Sequence, residues 1–124
     1  MAAYSLVCYV LQIKDRHNAN IIVDKDGHVV HIDFGFMLTD APGQGLEFEA
    51  APFKMTSSFE QILSANKSFG FRRFRENMIQ GMLQLNKHAA KIILLVQMCA
   101  NSQADLSCFK KGVQVAVDEL RQRL

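Results

Sequence analysis

Two runs of β-branched residues, in Asn20-Ile21-Ile22-Val23-Asp24 and His28-Val29-Val30-His31-Ile32-Asp33, stand on either side of a Lys-Asp-Gly reversal. The Asp-x-Asp-Gly chemistry of residues 24–27 suits a tight turn, and the flanking runs suit short strands. The spacing therefore predicts a β-hairpin over 20–32, with Asp33 where the second strand ends. The hairpin is set among polar residues, Asp15, Arg16, His17, Asn18 and Asn20, that a packed core alone does not need. Each polar group placed between apolar neighbours must be given a partner. Such a concentration points to a site.

Around the hairpin the pattern is helical. Residues 4–13 form an apolar segment without Gly or Pro, long enough for a buried helix; Val7 and Val10 leave a strand open, and helix is the preferred reading. Between 36 and 54 the periodicity disappears, and Pro42, Gly43, Gly45 and Pro52 mark a long loop. Ser57 with Glu60 predicts a capping box ahead of a short helix that carries Phe59, Ile62 and Leu63. Phe71, Phe74, Met78, Met82 and Leu85 recur at helical spacing, as do Ile92, Leu95, Val96 and Cys99, and then Val113, Val117, Leu120 and Leu124. The expected fold is mainly α with a small β-hairpin.

Bulk properties limit the partners. A chain of 124 residues with 49% hydrophobic content is expected to build one domain core. The formal charge of +2 gives no general basic excess, so nucleic acid is not an expected partner. Cys8, Cys99 and Cys108 lie far apart, odd in number and without metal-ligand spacing, which argues against a disulfide framework and for a reducing compartment. The apolar runs fall short of the roughly 18–20 residues needed to cross a bilayer, and the start lacks a secretory signal pattern. The expected location is the cytosol or a membrane surface.

Asp15 and Asn20 stand five positions apart, the step between the catalytic Asp and the metal-binding Asn of a protein-kinase catalytic loop. Ile32-Asp33-Phe34-Gly35 then offers an Asp-Phe-Gly, whose Asp33 would hold Mg²⁺. Phosphoryl transfer needs oxygen ligands that neutralise a triphosphate through metal, and a group that accepts or orients the attacking hydroxyl's proton. Asn20, Asp33 and the Asp15/His17 pair meet both needs. A hairpin between them would bring the loop before its first strand beside the carboxylate after its second.

The order Asp-Arg-His reverses the His-Arg-Asp of ordinary protein kinases. "DRHNANI" followed by "HIDFGF" resembles the catalytic and activation-loop motifs of the phosphoinositide 3- and 4-kinase superfamily. With "YSLVCYVLQIKDRHN", "HVVHIDFGFML" and "LEFEAAPFKMT", the first half of the chain looks most like the type III phosphatidylinositol 4-kinases, the beta form more than the alpha. The resemblance implies ATP and Mg²⁺, with Mn²⁺ as a substitute, as cofactors. It implies phosphatidylinositol in a membrane surface as substrate, with transfer to the 4-hydroxyl, and a peripheral location on cytoplasmic membranes such as the Golgi.

By that resemblance His17 acts as, or assists, the general base while Asp15 orients it, Arg16 anchors the loop electrostatically, and Asn20 and Asp33 hold metal. Gly35 lets the activation loop turn. Phe36 favours a 4-kinase, because the 3-kinases more often resemble "DFGH" or "DFGY". The following loop carries Asp40, Glu47 and Glu49 but no Lys or Arg before Lys54. A headgroup already bearing extra phosphates would call for such cations, so unphosphorylated inositol fits better, with Lys54 expected near the lipid phosphate.

Other features have plainer readings. His28 and His31, three apart on a strand, point to opposite faces and are structural rather than metal ligands with Cys8. Arg72-Arg73-Phe74-Arg75 reads first as a solvated helix face and second as a contact to anionic lipid. Lys110, Lys111, Arg121 and Arg123 are expected on the outside of the last helix.

The resemblance makes residues 1–124 a partial catalytic domain, the C-terminal lobe, with its catalytic loop at 15–21, Asp-Phe-Gly at 33–35, activation loop at 33–54 and helical bundle at 56–124. The N-terminal lobe, with its phosphate-covering loop and ATP-binding Lys, is expected in a longer parent chain, and without it the isolated chain is expected to be inactive. Two other readings stay open: a phosphatidylinositol 3-kinase, and a non-catalytic remnant that serves as a binding module.

Overall fold

The computed structural model describes residues 1–45, 51–64 and 69–124. It is mainly helical, with one two-stranded antiparallel hairpin. The opening apolar segment is the helix α1, Ala2–Leu11, which buries Leu6, Cys8 and Val10. Its end falls short of residue 13 because Gln12 turns left-handed, with φ 50°. The Ile13 N–H returns to the Cys8 carbonyl at 3.0 Å, and Gln12 Nε2 donates to the Tyr9 carbonyl at 2.6 Å. Carbonyls that the helix leaves open are thereby satisfied.

Strands β1, Ile21–Val23, and β2, Val29–His31, pair with Ile22 opposite Val30. The turn is built as its residue types predict. Gly27 takes φ 83°, and Asp24 Oδ1 accepts from the N–H groups of Asp26 and His28 at 2.9 and 2.8 Å. The His28 N–H is the main reason that the Asp24 carboxyl is held below its ordinary range. His28 Nδ1 meets Asp24 Oδ2 at 2.8 Å, so this histidine belongs to the turn.

His31 docks the hairpin on α1. Its ring stacks on Tyr4 with centroids 4.2 Å apart, and Nδ1 lies 3.6 Å from Cys8 Sγ. Partial burial is the first cause that lowers its pKa from the ordinary 6.5, and the positive charge of Arg16 is the second. Below that ordinary value the unfolded chain takes up the proton more readily than the folded one. This contribution to stability is therefore complete above 6.5 and falls as the pH drops through it. Thermal unfolding followed between neutral and mildly acidic pH is expected to show that decline, and His31→Gln to flatten it. An equally steep decline in the variant assigns the titration elsewhere.

The segment after the hairpin is more ordered than its sequence predicts. The Leu38 N–H donates to Leu11 O at 2.7 Å and the Lys14 N–H to Phe36 O at 3.0 Å, which lays residues 36–38 beside the exit of α1. Leu38 and Thr39 are buried, and the Thr39 hydroxyl donates to the Cys108 carbonyl at 2.7 Å. A short 3-10 turn follows at Pro42–Gly45.

Helix α2, Ser57–Ser64, is capped by Thr56 rather than by Ser57. The Thr56 hydroxyl accepts from the Phe59 N–H at 3.1 Å, and its carbonyl from the Glu60 N–H at 2.9 Å. Shifting the cap by one residue removes Glu60 from the position a capping box needs. Helix α3, Phe69–Lys87, packs on α1 and α2. Phe74 is buried, Met78, Met82 and Leu85 are half-buried, and Phe71 stays half-exposed. Gly81 permits the close approach to α1, since a Cβ there would run into Leu6 Cδ1.

Helix α4, Ala89–Ser102, turns only part of the expected face inward: Ile92 and Val96 are half-buried, Leu95 and Cys99 are not. Val96 and Ala100 meet Cys108, Phe109 and Ala116, whereas Leu95 is 65% exposed and Cys99 lies outside. The physical reason is that α4 is covered along a single line by α5 and the 3-10 turn Ser107–Phe109, so only residues four apart on that line are enclosed. Helix α5, Val113–Arg123, buries Ala116, Val117 and Leu120. Arg123 is not on its outer side: Nε donates to the Val10 carbonyl at 2.9 Å, Nη1 pairs with Glu119 at 3.6 Å, and burial lowers its pKa. It ties α5 to α1. No helix among the described residues is long and apolar enough to cross a membrane.

Candidate active site

The residues between α1 and β1 form a compact loop in which one amide does most of the positioning. A 3-10 turn at Asn18–Asn20 carries Asn20 inward, leaving it 6% exposed. Its Nδ2 donates to the Asp15 carbonyl at 2.9 Å and lies 3.2 Å from His17 Nε2. A carbonyl only accepts, so the first contact fixes which way the amide faces, and the second then requires a lone pair on His17 Nε2. Asp15 Oδ2 lies 3.9 Å from that same nitrogen. With its nitrogen engaged, Asn20 keeps Oδ1 without a hydrogen bond among the described residues.

Across the hairpin base, the Ile32 N–H donates to the Asn20 carbonyl at 3.1 Å, which extends the strand register by one pair. Asn20 thus sits opposite Ile32 and diagonal to Asp33. Asp33 has φ 56° and Asp15 φ 60°, a left-handed conformation that Asp tolerates better than most residues. The Asp33 side chain is exposed and accepts one long hydrogen bond, 3.3 Å, from the Gly35 N–H. At this bend the left-handed residue is Asp33, not Gly35. What Gly35 supplies is space, because a Cβ there would lie 3.3 Å from Asp33 Oδ1.

Arg16 joins the two halves. It is 2% exposed, yet among the described residues no carboxylate bonds to it. Instead Nε donates to the Lys14 carbonyl at 2.9 Å, Nη1 to the Ile32 carbonyl at 2.6 Å and Nη2 to the Asp33 carbonyl. Its guanidinium also lies over the Phe34 ring, 5.5 Å from the centroid. The expected anchor is therefore a backbone clamp. Phe34, Leu38 and Thr39 support this arrangement and escape sequence reasoning; the Thr39 bond spans 69 positions and has no local signature.

The donor set fits a hard divalent cation. An amide oxygen on Asn20 without a hydrogen bond among the described residues and the exposed Asp33 carboxylate, one residue past its cross-strand partner, are oxygen ligands of the kind Mg²⁺ and Mn²⁺ take. Phe36 is half-buried, with its carbonyl held by Lys14, and Lys54 is exposed. Glu47 and Glu49, with the whole "LEFEA" part of the quoted motif, lie outside the described residues. Beside the loop, Asn18, Ile21 and Val23 face Thr56, Ser57, Ser58 and Phe59 across a cleft of about 270 Å³.

Residues 1–108 match the family model for phosphatidylinositol 3- and 4-kinase. The chain belongs to that family. Among the relatives of this family member, phosphatidylinositol 4-kinase beta 2 of Arabidopsis thaliana is 49% identical over 127 residues, covering 99% of this chain and 11% of the relative. Phosphatidylinositol 4-kinase PIK1 of Saccharomyces cerevisiae is 47% identical over 125 residues, again 99% of this chain and 11% of the relative. Phosphatidylinositol 4-kinase beta of Danio rerio is 42% identical over 108 residues, 87% of this chain and 13% of the relative. The chain thus spans only 11% to 13% of the length of these three relatives.

Proposed function

We propose that this sequence is the C-terminal-lobe portion of a phosphatidylinositol 4-kinase, which moves the γ-phosphate of ATP to the 4-hydroxyl of phosphatidylinositol. In this reading residues 15–21 are the catalytic loop, 33–35 the Asp-Phe-Gly, 33–54 the activation loop and 56–124 the helical bundle. The single observation that carries the reading is the Asn20 amide. It holds His17 and the Asp15 backbone at once, while the backbone carbonyl of Asn20 pairs with Ile32, the residue before Asp33.

His17 Nε2, whose lone pair faces the Asn20 amide nitrogen at 3.2 Å, accepts the proton of the inositol hydroxyl once that hydroxyl takes the place of the amide N–H. The Asp15 carboxylate, 3.9 Å away, then stabilises the imidazolium that forms. Asn20 Oδ1 and the Asp33 carboxylate would hold the divalent cation, which when bound neutralises charge on the triphosphate. Arg16 keeps Asp33 in register with the loop. Lys54 lies within the activation loop and pairs with the phosphate of a lipid whose inositol carries none. The relatives' names support the 4-hydroxyl, and the membrane surface that presents phosphatidylinositol sets the working location on the cytoplasmic side.

The deciding experiment incubates the full-length protein carrying this sequence with radiolabelled ATP, Mg²⁺ and phosphatidylinositol, and then maps the phosphate on the product. Phosphatidylinositol 4-phosphate is expected. The 3-phosphate would overturn the assignment in favour of a 3-kinase, and a full-length protein that binds ATP yet forms no phosphoinositide would favour the non-catalytic reading.

A further inference from the structure

Helix α3 has two apolar lines, and among the described residues one of them packs against another element. The inner line, Phe74, Met78, Met82 and Leu85, packs toward α1. On the outer side Phe69, Arg72, Glu76, Ile79 and Leu83 follow one another in steps of three and four, and so form a second line along the helix. Along it, Phe69 is 57% exposed, Ile79 49% and Leu83 57%. Isolated surface apolar residues are ordinary, but a row of them on one helix face is not.

The line itself carries one charge of each sign, Arg72 and the exposed Glu76, and Arg73 and Arg75 stand on its two flanks. Arg72, Arg73 and Arg75 are all exposed, and among the described residues none of them pairs with a carboxylate. The arginines of α5 differ: Arg121 pairs with Asp118 at 2.9 Å and Arg123 with Glu119 at 3.6 Å. Arg72 lies instead over the Phe69 ring, 5.9 Å from its centroid, so a cation and an aromatic ring are presented outward together. Phe71, 48% exposed, belongs instead to the inner side, its ring 6.3 Å from that of buried Phe74.

We propose that the outer face of α3 lies on an anionic phospholipid bilayer, with Phe69, Ile79 and Leu83 entering the headgroup boundary and Arg72, Arg73 and Arg75 facing lipid phosphates. Charge complementarity selects the partner. Three exposed guanidinium groups without a carboxylate partner among the described residues outnumber the one exposed carboxylate of the helix, Glu76, and apolar residues flanked by Arg suit a surface that is apolar just beneath an anionic layer. A soluble acidic protein would satisfy the arginines but leaves the row of apolar residues without a reason. This inference does not involve Asp15, His17, Asn20 or Asp33, and a binding measurement tests it without turnover.

The test is co-sedimentation of the full chain with phosphatidylcholine vesicles, with and without phosphatidylserine. Arg72→Gln/Arg73→Gln/Arg75→Gln is expected to weaken partition to the phosphatidylserine vesicles on the order of 100-fold. Phe69→Ser/Leu83→Ser is expected to weaken it as well, and Lys110→Gln/Lys111→Gln, which removes two exposed charges elsewhere, to leave it unchanged. Circular dichroism establishes that each variant keeps its helices. Binding that ignores phosphatidylserine, or that falls as much in the Lys110/Lys111 variant as in the arginine variant, overturns the proposal. So does an acidic protein whose capture needs the three arginines while vesicle binding does not.

Discussion

Asp33→Asn in the full-length protein is expected to lower the rate of phosphatidylinositol phosphorylation on the order of 10³-fold, about 4 kcal/mol in transition-state stabilisation. The substitution is chosen for what it leaves intact. Asp33 has φ 56°, and Asn occupies that left-handed region at least as readily as Asp, so the bend persists. The exposed side chain gives up one 3.3 Å bond from the Gly35 N–H, which Asn Oδ1 can also accept. Stability should therefore change by no more than about 0.5 kcal/mol. What disappears is the negative charge of residue 33, which stands diagonal to Asn20 across the hairpin base. Thermal unfolding and initial rates measured on one preparation separate the two effects. A variant with wild-type rates would remove Asp33 from the mechanism, and an inactive variant that has also unfolded would leave the Asp33 clamp, not its charge, as the cause.

Much of this was visible in the residues, and the reason is local. The hairpin is specified by Gly27, by a carboxylate at 24 that can accept from two N–H groups ahead of it, and by β-branched runs on each side. All of these interactions close within a few positions. The helix faces of α3 and α5 followed from spacing for the same reason. Sequence reasoning failed where a long-range partner decides. Whether Leu95 or Ala100 of α4 is buried depends on where α5 lands, and Arg123 became an inward clamp because Val10, far away in sequence, offers a carbonyl. Leu38 takes φ 54°, a conformation costly for Leu by about 1–2 kcal/mol, and nothing in its own neighbourhood announces that. The residue types of the candidate site were legible, but the division of labour was not. Nothing in "DRHNAN" says that Asn20 orients His17, or that the left-handed residue at the Asp-Phe-Gly is the aspartate.

Arg16 carries the second large expectation. Arg16→Lys is expected to destabilise the fold by about 2–4 kcal/mol, because hydrogen bonds from a buried charged donor contribute roughly 1.5–3 kcal/mol each and a lysine cannot reproduce the fork. The guanidinium reaches the Lys14, Ile32 and Asp33 carbonyls from three nitrogens in one plane while lying over Phe34. An ammonium on a flexible stem reaches one or two of them and leaves the rest, which are part-buried, without that donor. Arg16→Met separates charge from clamp. If burial of the cation were the dominant cost, its removal would stabilise, as replacing buried ions by apolar residues often does. The clamp account requires the opposite, since three carbonyls would lose their donor at about 1–3 kcal/mol apiece. Both variants should thus melt well below the wild type, by roughly 10 °C or more for a domain of this size. In the full-length protein, any folded fraction should also turn over slowly, because the Asp33 backbone would no longer be tied to the loop that holds His17. Unchanged melting of Arg16→Met would mean that water replaces the guanidinium at those carbonyls, and the bridge between the two halves of the site would then have to be sought in the Asn20–Ile32 pair alone.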